Sequence, residues 1–362
     1  MKYKPDYLAC KQRMLAFWEH EIIDRPLISV VAPKIKGANI SPFKNTIIGQ
    51  SQEEIKKLWV DPTAFLDHNI TRIKNTHLGG DTLPVLFLNF GPSGHVAYYG
   101  AQPKYQPETI WYSPIFPDGD LQIDKLHYDE SIVDSQIAFA EKIHQESNGE
   151  VFLSMPDNCG TLDALATLMG TQELMIALLE DPEIVKEGVR ILNDGHRQAT
   201  NKFYHALRKQ ADDGCMHGWM HLWAPGILEQ MQCDISVMLS PKMYEEFVLP
   251  ELSEQMNWID YPVYHFDGIE QIKHLDMLLS LEKLRAIQWT HVAGQPSPVH
   301  YLSELKRIQK SGKGIIVMTP PENVKELVEN LDPRGLYIHT EVKTPEQADE
   351  IVNIAATCFR RK

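Results

Sequence analysis

The second half of the chain repeats one pattern four times: PVYHF at 262–266, RAIQWT at 285–290, GIIVMT at 314–319 and LYIHT at 336–340. Each run is almost continuously apolar or aromatic, which is typical of a parallel strand whose two faces are both covered by helices. The runs begin at residues 262, 285, 314 and 336, so they start 23, 29 and 22 residues apart. These intervals leave room for a helix between neighbouring strands, and the rhythm therefore predicts repeated βα units.

Four further apolar runs lie upstream, at Leu27–Ala32, Pro84–Asn89, Val151–Met155 and Cys215–Leu222. Eight strands alternating with helices predict an α/β fold, specifically a (β/α)8 TIM barrel that forms a single domain over residues 1–362 with an additional N-terminal helix. The stretch Gly91–Glu130 is rich in Pro, Gly and aromatic residues, which predicts a long insertion after strand 2. No Gly-x-Gly-x-x-Gly motif follows the first strand, and this disfavours a doubly wound, dinucleotide-binding sheet.

The composition excludes several classes of protein. The 362 residues include 35 Lys and Arg against 49 Asp and Glu, which gives a net charge of −14 and no basic cluster of the kind that nucleic acid requires. No apolar stretch approaches the roughly 20 residues of a membrane span. The five cysteines are scattered and form no Cys-x-x-Cys pair. We therefore expect a cytoplasmic protein without a disulfide framework, bound neither to nucleic acid nor to a membrane.

Histidine and carboxylate side chains follow two of the predicted strands. In a barrel, active sites collect at the carboxyl ends of the strands, and residues two apart on a strand point to the same side. The fifth strand ends with His265 and Asp267, and the eighth with His339 and Glu341. His265 and Asp267 are suited to act as a catalytic acid/base pair, and all four residues together predict a metal site that suits Zn²⁺, Fe or Mn. Alternatively, His265 is a hydrogen-bonded core residue, Asp267 caps the next helix, and the charged residues after the eighth strand lie in a solvated loop.

Polar and aromatic residues at the other strand ends are candidates for substrate binding. Alternating aromatic rings at the fourth strand would form a wall for a flat or bulky organic ligand, although ordinary core packing explains Trp219 and Trp223 equally well. The candidates are Asp157 and Asn158 after strand 3, Trp219, His221, Trp223 and Asp234 at or after strand 4, and Gln288, Trp289 and His291 at strand 6.

Several longer segments resemble the uroporphyrinogen decarboxylase-like superfamily, in particular bacterial members near the corrinoid-dependent methyltransferases. The resemblance extends over nearly the whole chain and implies a (β/α)8 barrel. The segments that carry it are FWEHEIIDRP (17–26), LWAP (222–225), QCDIS (232–236), MLSP (238–241), EEFVLP (245–250), YHFDG (264–268) and AIQW (286–289).

Two departures from the family pattern bear on function. True uroporphyrinogen decarboxylases have an arginine-rich segment after the first strand, whereas this chain has VVAPK at 30–34, which disfavours a porphyrinogen substrate. The zinc methyltransferases of the superfamily use a His-x-Cys pair and a later cysteine to activate a thiol. Here the pair is His265-x-Asp267, and no cysteine follows before Cys358. Carboxylates in place of thiolates make the predicted site harder and less suited to a thiol.

The resemblance implies a methyltransferase that moves a methyl group between a small methylated compound and a corrinoid carried by a partner protein. Two other classes of function stay open at this stage. One is a metal-independent decarboxylase or lyase that acts on a carboxylated or aromatic metabolite through His265 and Asp267. The other is a ligand-binding barrel without catalytic activity.

Overall fold

The computed structural model describes residues 1–41 and 51–360. The helices in these ranges are α1 (Tyr7–Trp18), α2 (Gln52–Val60), α3 (Pro62–Asn75), α4 (Glu130–Glu146), α5 (Thr161–Met169), α6 (Thr171–Glu180), α7 (Pro182–Leu207), α8 (Pro241–Phe247), α9 (Leu249–Gln255), α10 (Leu275–Ser280), α11 (Leu302–Lys310), α12 (Val324–Asn330) and α13 (Pro345–Arg360). The strands are β1 (Leu27–Pro33), β2 (Thr76–Gly80), β3 (Val85–Leu86), β4 (Pro103–Tyr105), β5 (Ile110–Tyr112), β6 (Phe152–Leu153), β7 (Cys215–His217), β8 (Leu222–Ala224), β9 (Leu228–Met231), β10 (Tyr261–Phe266), β11 (Ala286–Trp289), β12 (Gly314–Met318) and β13 (Leu336–Glu341).

Seven of these strands form one sheet in the order β2-β1-β13-β12-β11-β10-β9. All neighbours are parallel except β2, which runs antiparallel to β1. Five of the six parallel strands of this sheet, β1 and β10–β13, are apolar runs that the sequence predicts, and they are almost completely buried because helices cover them. The molecule therefore has a mixed α/β fold with a mostly parallel sheet.

Three two-stranded pairs accompany the sheet. β3 pairs in parallel with β6, and β4 and β5 form an antiparallel hairpin inside the long segment between β3 and α4. The Met155 backbone N–H, just after β6, donates to the carbonyl of Met216 on β7 at 2.9 Å. The Cys215 thiol on β7 donates to the carbonyl of Leu228 on β9 at 3.3 Å. These contacts bring the β3–β6 pair and β7 next to the β9 edge of the sheet.

The fourth predicted strand, Cys215–Leu222, is wrong as a single element. β7 ends at His217, the chain turns, and β8 returns antiparallel to it. The turn needs Gly218, where a Cβ would overlap the Phe87 ring, and it holds His221 at a φ of 50°. The strand that pairs with β10 is instead β9, Leu228–Met231, which the sequence analysis did not identify.

The N-terminal helix α1 packs across one end of the sheet. Its Phe17 ring meets the Tyr337 ring of β13 edge-on, with 6.2 Å between centroids, and the Trp18 indole N–H donates to the carbonyl of Trp223 at 2.9 Å. These contacts fix the N-terminal helix on the sheet.

No single helix in the described ranges has both the length and the apolar character needed to cross a membrane. The helices α5 and α6 are together long and apolar enough to do so, but the chain bends by 110° between them.

Candidate functional site

A cavity of about 810 Å³ opens at the carboxyl ends of the parallel strands. Register explains its position: His265 lies opposite Gln288, and Met318 lies opposite His339, so that the strands reach the same edge together. Its lining combines apolar, imidazole, amide and carboxylate groups. The described lining residues are Val31, Ile40, Pro92, Asp157, Cys159, Trp219, His221, Gln230, Gln232, Asp234, His265, Thr290, His291, Met318, Thr319, Pro320, Pro321, His339, Thr340 and Glu341.

One group of three side chains near this cavity is arranged as a metal site would be. Asp234, His265 and Asp267 each offer a ligand atom, and these atoms all lie within 4.8 Å of one another. Among the residues described, no other group of three His, Cys, Asp or Glu side chains meets that criterion. We call these three residues the carboxylate side of the cavity.

Hydrogen bonding fixes the orientation of the His265 ring. Its Nδ1 donates to Oε1 of Gln288 on the neighbouring strand β11, and Gln288 Nε2 in turn donates to the Thr290 hydroxyl at 3.0 Å. A ring that donates from Nδ1 keeps its lone pair on Nε2, which is the arrangement that metal-binding histidines show when a carbonyl holds their other nitrogen. The sequence analysis placed Gln288 among substrate-binding residues, whereas the structure shows it buried and bonded to His265.

Asp234 is half-buried and carries an unsatisfied oxygen. Its Oδ2 accepts from the Gln232 amide at 3.0 Å, while its buried Oδ1 has no hydrogen-bond partner among the residues described. Burial, together with the nearby charge of Asp267, raises the pKa of Asp234 to about 7. A cation bound between these carboxylates would reverse that effect.

The backbone at Asp234 is held by Asp163, a residue that the sequence analysis missed. Its carboxylate accepts the backbone N–H groups of Asp234 at 2.9 Å and of Ile235 at 3.0 Å. Asp163 is almost fully buried in the first turn of α5. Burial raises its pKa to about 7, with a further contribution from the Asp234 charge. The available signal was an acid inside the apolar helix TLDALATLM, which needs buried donors nearby.

His339 and Glu341 line the cavity but do not join the group of three. The predicted convergence of these two residues with His265 and Asp267 fails for a geometric reason. β13 lies three strands away from β10 in the sheet, which is roughly 14 Å at about 4.8 Å per neighbouring strand. The third member of the group is instead Asp234, which lies in the turn after the strand β9, next to β10 in the sheet.

His339 stacks on His221, with 5.6 Å between ring centroids and 15° between planes. We call this pair the histidine side of the cavity. His221 Nδ1 donates to the carbonyl of Leu83 at 3.3 Å, and His339 Nδ1 bonds to the hydroxyl of Ser29 at 3.0 Å. Burial lowers the pKa of His221 to about 3 and that of His339 to about 4, so both rings are neutral near pH 7.

Asp157 and Trp219, both predicted at strand ends, are bonded to each other in the cavity wall. The Trp219 indole N–H donates to Asp157 Oδ2 at 2.8 Å, and the Trp219 ring meets the His265 ring edge-on at 5.6 Å. Burial raises the pKa of Asp157 to about 7. His291 also lines the cavity, and its Nε2 bonds to the carbonyl of Gln295 at 3.2 Å.

Four predicted substrate-binding residues lie outside the cavity lining: Asn158, Trp223, Trp289 and Gln288, the last of which is bonded to His265 as described above. Trp223 is buried, with its indole N–H on the carbonyl of Ala211 at 2.7 Å and the Lys11 ammonium 3.9 Å above its ring. Trp289 follows Gln288 on β11, so strand alternation turns it to the other face, where it stacks on Phe266 at 4.8 Å. Asn158 is buried and its backbone forms a bridge with Ser93. The structure thus supports the core-packing alternative for Trp223.

Gln230 and Gln232 line the cavity and were not identified from the sequence as site residues. Both amides are buried, and Gln230 Nε2 donates to Gln232 Oε1. They lie on and directly after β9, so the error in assigning that strand also hid these residues.

Comparison with known proteins gives one informative result. No protein-family model and no curated protein matches the sequence. A methyltransferase from Methanosarcina mazei is similar in structure, with a TM-score of 0.59 and 11% sequence identity over 97% of this chain and 99% of that one. At this identity the similarity establishes the overall fold that the two chains share.

Proposed function

We propose that this protein is a methyltransferase that moves a methyl group between a small methylated compound and a corrinoid carried by a partner protein, with assistance from a bound metal ion. The observation that carries the proposal is the group Asp234, His265 and Asp267 beside a cavity of about 810 Å³, in a chain that shares its fold end to end with a methyltransferase. We infer that β3 and β6 bring the six parallel strands of the sheet to the eight of a closed (β/α)8 barrel in a single cytoplasmic domain.

The carboxylate side fits a divalent cation on three counts. The ligand atoms lie within 4.8 Å of one another, a buried oxygen of Asp234 has no hydrogen bond from the described part of the chain, and His265 keeps its Nε2 lone pair. One imidazole and two carboxylates form a nitrogen and oxygen set that suits Zn²⁺, Fe²⁺ or Mn²⁺. When bound, such an ion supplies Lewis-acid polarisation of the heteroatom that carries the methyl group.

Residues in and behind the cavity wall position the substrate. Gln288 holds the His265 ring in one orientation, which reduces the reorganisation needed when the reacting atoms meet. Met318, Pro320 and Pro321 provide an apolar wall that excludes water. We assign Glu341 and the histidine side to substrate contact and not to metal binding.

The charge of the lining favours methyl transfer over a decarboxylase. The described residues that line the cavity include no Lys or Arg, so a substrate carboxylate would lose its hydration without gaining a cationic partner. A decarboxylase for a carboxylated metabolite would need to compensate that loss. A methylated compound without negative charge has no such requirement.

The test is methyl transfer to free cob(I)alamin, followed by the absorbance of methylcobalamin. Methanol, anisole, dimethyl sulfide and choline serve as donors of four different classes. We expect one of them to methylate cob(I)alamin with the purified protein, and the His265→Ala variant to lose that activity by more than about hundredfold. His300→Ala, which changes an exposed histidine outside the cavity, is the matched control and should retain it. Equal rates for wild type and His265→Ala, or no transfer from any donor, would contradict the proposal.

A further inference from the structure

The ionisable groups around the cavity are unbalanced in charge. The described lining has three carboxylates, Asp157, Asp234 and Glu341, and four imidazoles, but no lysine or arginine. A second cavity of about 320 Å³ adjoins it and shares Pro92 and Asp157. The described lining of this second cavity also lacks a basic residue and adds the carboxylate of Glu108. Asp157 therefore lies where two acidic chambers meet.

Asp157 carries one oxygen that no donor satisfies. Its Oδ2 accepts the Trp219 indole N–H at 2.8 Å, whereas its buried Oδ1 has no hydrogen-bond partner among the residues described. The nearest imidazole atom is Nε2 of His217, at 3.8 Å, which is beyond hydrogen-bond distance. A buried carboxylate oxygen without a partner is costly, and its presence beside a cavity indicates a ligand that donates to it or carries positive charge.

His217 does not neutralise Asp157. Burial lowers the pKa of His217 to about 3, and its Nδ1 accepts the backbone N–H of Met220 at 3.5 Å. The ring is therefore neutral near pH 7. In the described ranges, no lysine or arginine lies within salt-bridge distance of Asp157. Burial favours the protonated carboxyl, and a cationic ligand beside Oδ1 would favour its ionised form.

Aromatic rings line both of the cavities that Asp157 lines. Trp219 belongs to the larger cavity, while Phe87 and Trp111 line the smaller one, and Trp111 on β5 is 56% exposed. Aromatic faces next to carboxylates are the surroundings that organic ammonium groups prefer. Gln230, which is 5% exposed, adds to the wall of the larger cavity an Oε1 acceptor that has no hydrogen-bond partner within residues 1–41 and 51–360.

We propose that the substrate is an organic cation whose ammonium group binds against Asp157, between Trp219 and the Phe87–Trp111 pair. This inference rests on the proposed function, and it specifies the class of methylated compound that the cavity accepts. The Trp219 ring lies between Asp157 and His265, with 5.6 Å between the Trp219 and His265 ring centroids. A substrate with its ammonium group at Asp157 therefore places a second functional group, one ring width away, near the carboxylate side.

The experiment is calorimetric titration of the full-length protein with three probes of one shape and different charge. Choline is the cation, 3,3-dimethylbutan-1-ol is its neutral isostere, and 3,3-dimethylbutanoate is the anion. We expect choline to bind at least about tenfold more tightly than the neutral alcohol, and the anion to bind most weakly. Asp157→Asn, which retains an acceptor for the Trp219 indole, should reduce choline affinity to that of the alcohol.

Asp67→Asn is the matched control, because it removes the same charge from an exposed position outside both cavities and should leave choline affinity unchanged. Thermal unfolding of each variant establishes that it is folded. Equal affinity for choline and the alcohol, or undiminished choline affinity in Asp157→Asn, would overturn the inference. Charge-selective binding without methylation of cob(I)alamin would support the cation site and count against the methyltransferase. Methylation from uncharged donors alone, without selective binding of choline, would support the methyltransferase and count against the cation site.

Discussion

The two sides of the cavity use the same residue type in different surroundings. On the carboxylate side, the His265 imidazole lies within 4.8 Å of oxygens from Asp234 and Asp267. On the histidine side, His221 and His339 stack on each other, and their Nδ1 atoms bond to a carbonyl and a hydroxyl. One side concentrates negative charge around an imidazole, whereas the hydrogen-bond partners of the imidazoles on the other side are neutral groups.

The neighbouring strands therefore determine which chemistry a histidine at a strand end can perform. His265 has Gln288 beside it on β11 and Asp234 in the turn after β9, so its ring is both oriented and placed among acids. His339 lies between β12 and β1, whose nearest contributions are Met318 and Ser29. We therefore expect a metal ion on the carboxylate side and neutral hydrogen bonding on the histidine side.

The largest expected effect separates the two sides directly. Alanine at His265 should weaken Zn²⁺ binding by more than the roughly 10–100-fold that loss of an outer-shell partner costs, because it removes a ligand atom. Alanine at His339 should leave Zn²⁺ affinity within about twofold of wild type, since this ring lies outside the group of three. Competition with a chromogenic zinc chelator measures both affinities, and elemental analysis of the purified proteins checks the metal content.

Gln288→Leu provides an intermediate case for the same titration. It keeps the bulk of the side chain but removes the acceptor of the His265 Nδ1–H, so an affinity loss of about tenfold is expected. If the His339→Ala protein lost zinc as completely as His265→Ala, the two sides would form one site, and the contrast between them would be wrong.

A second, smaller effect concerns the buried acid Glu251, which lies near Asp163 behind the carboxylate side. Its Oε1 accepts the Thr161 backbone N–H at 2.8 Å and the Gln255 amide at 3.1 Å, while its buried Oε2 has no hydrogen-bond partner in the described chain. Burial raises its pKa from 4.5 to about 7, with a contribution from Asp163. The folded state then holds a proton that the unfolded state releases between these two values.

The contribution of Glu251 to stability is therefore present at low pH and is lost as the pH rises towards 7. Between pH 5.5 and pH 8 the wild type should lose about 2 kcal/mol more of its free energy of unfolding than Glu251→Gln does. The glutamine keeps the oxygen that accepts both hydrogen bonds and does not titrate. Urea denaturation of both proteins at the two pH values measures the difference, and parallel pH profiles would show that Glu251 is ionised throughout.

Sequence patterns predicted the strands better than they predicted the site. The buried strands β1 and β10–β13 appear as continuous apolar runs, and the alternation of residues along a strand correctly paired His265 with Asp267. What failed depended on contacts between distant segments. Asp163 holds the Asp234 loop across 71 residues of sequence, and no local pattern indicates that bond.

The errors at the fourth predicted strand have a single physical origin. The run from Cys215 to Leu222 is apolar enough for one strand, but Gly218 permits a turn that only a glycine can make against the Phe87 ring. The chain therefore doubles back before β9, which moves Trp223 into the core and Gln230 into the cavity. Gly218 thus determines which side chains reach the site, and its contact with Phe87 cannot be seen in the sequence.

The smallest predicted effect tests the neutrality of the histidine side. Burial lowers the pKa of His339 from 6.5 to about 4, so on acidification the unfolded chain takes up a proton at this residue before the folded protein does. The contribution of His339 to stability is present above pH 6.5 and falls as the pH drops. This pH dependence is opposite in sign to that of Glu251. Between pH 7.5 and pH 5.5 the wild type should lose about 1 kcal/mol more than His339→Gln, whose amide stays neutral. Urea denaturation at both pH values provides the measurement. If the two proteins lost stability equally, His339 would take up its proton in the folded protein over the same pH range as in the unfolded chain, and the neutrality of the histidine side at pH 5.5 would be wrong.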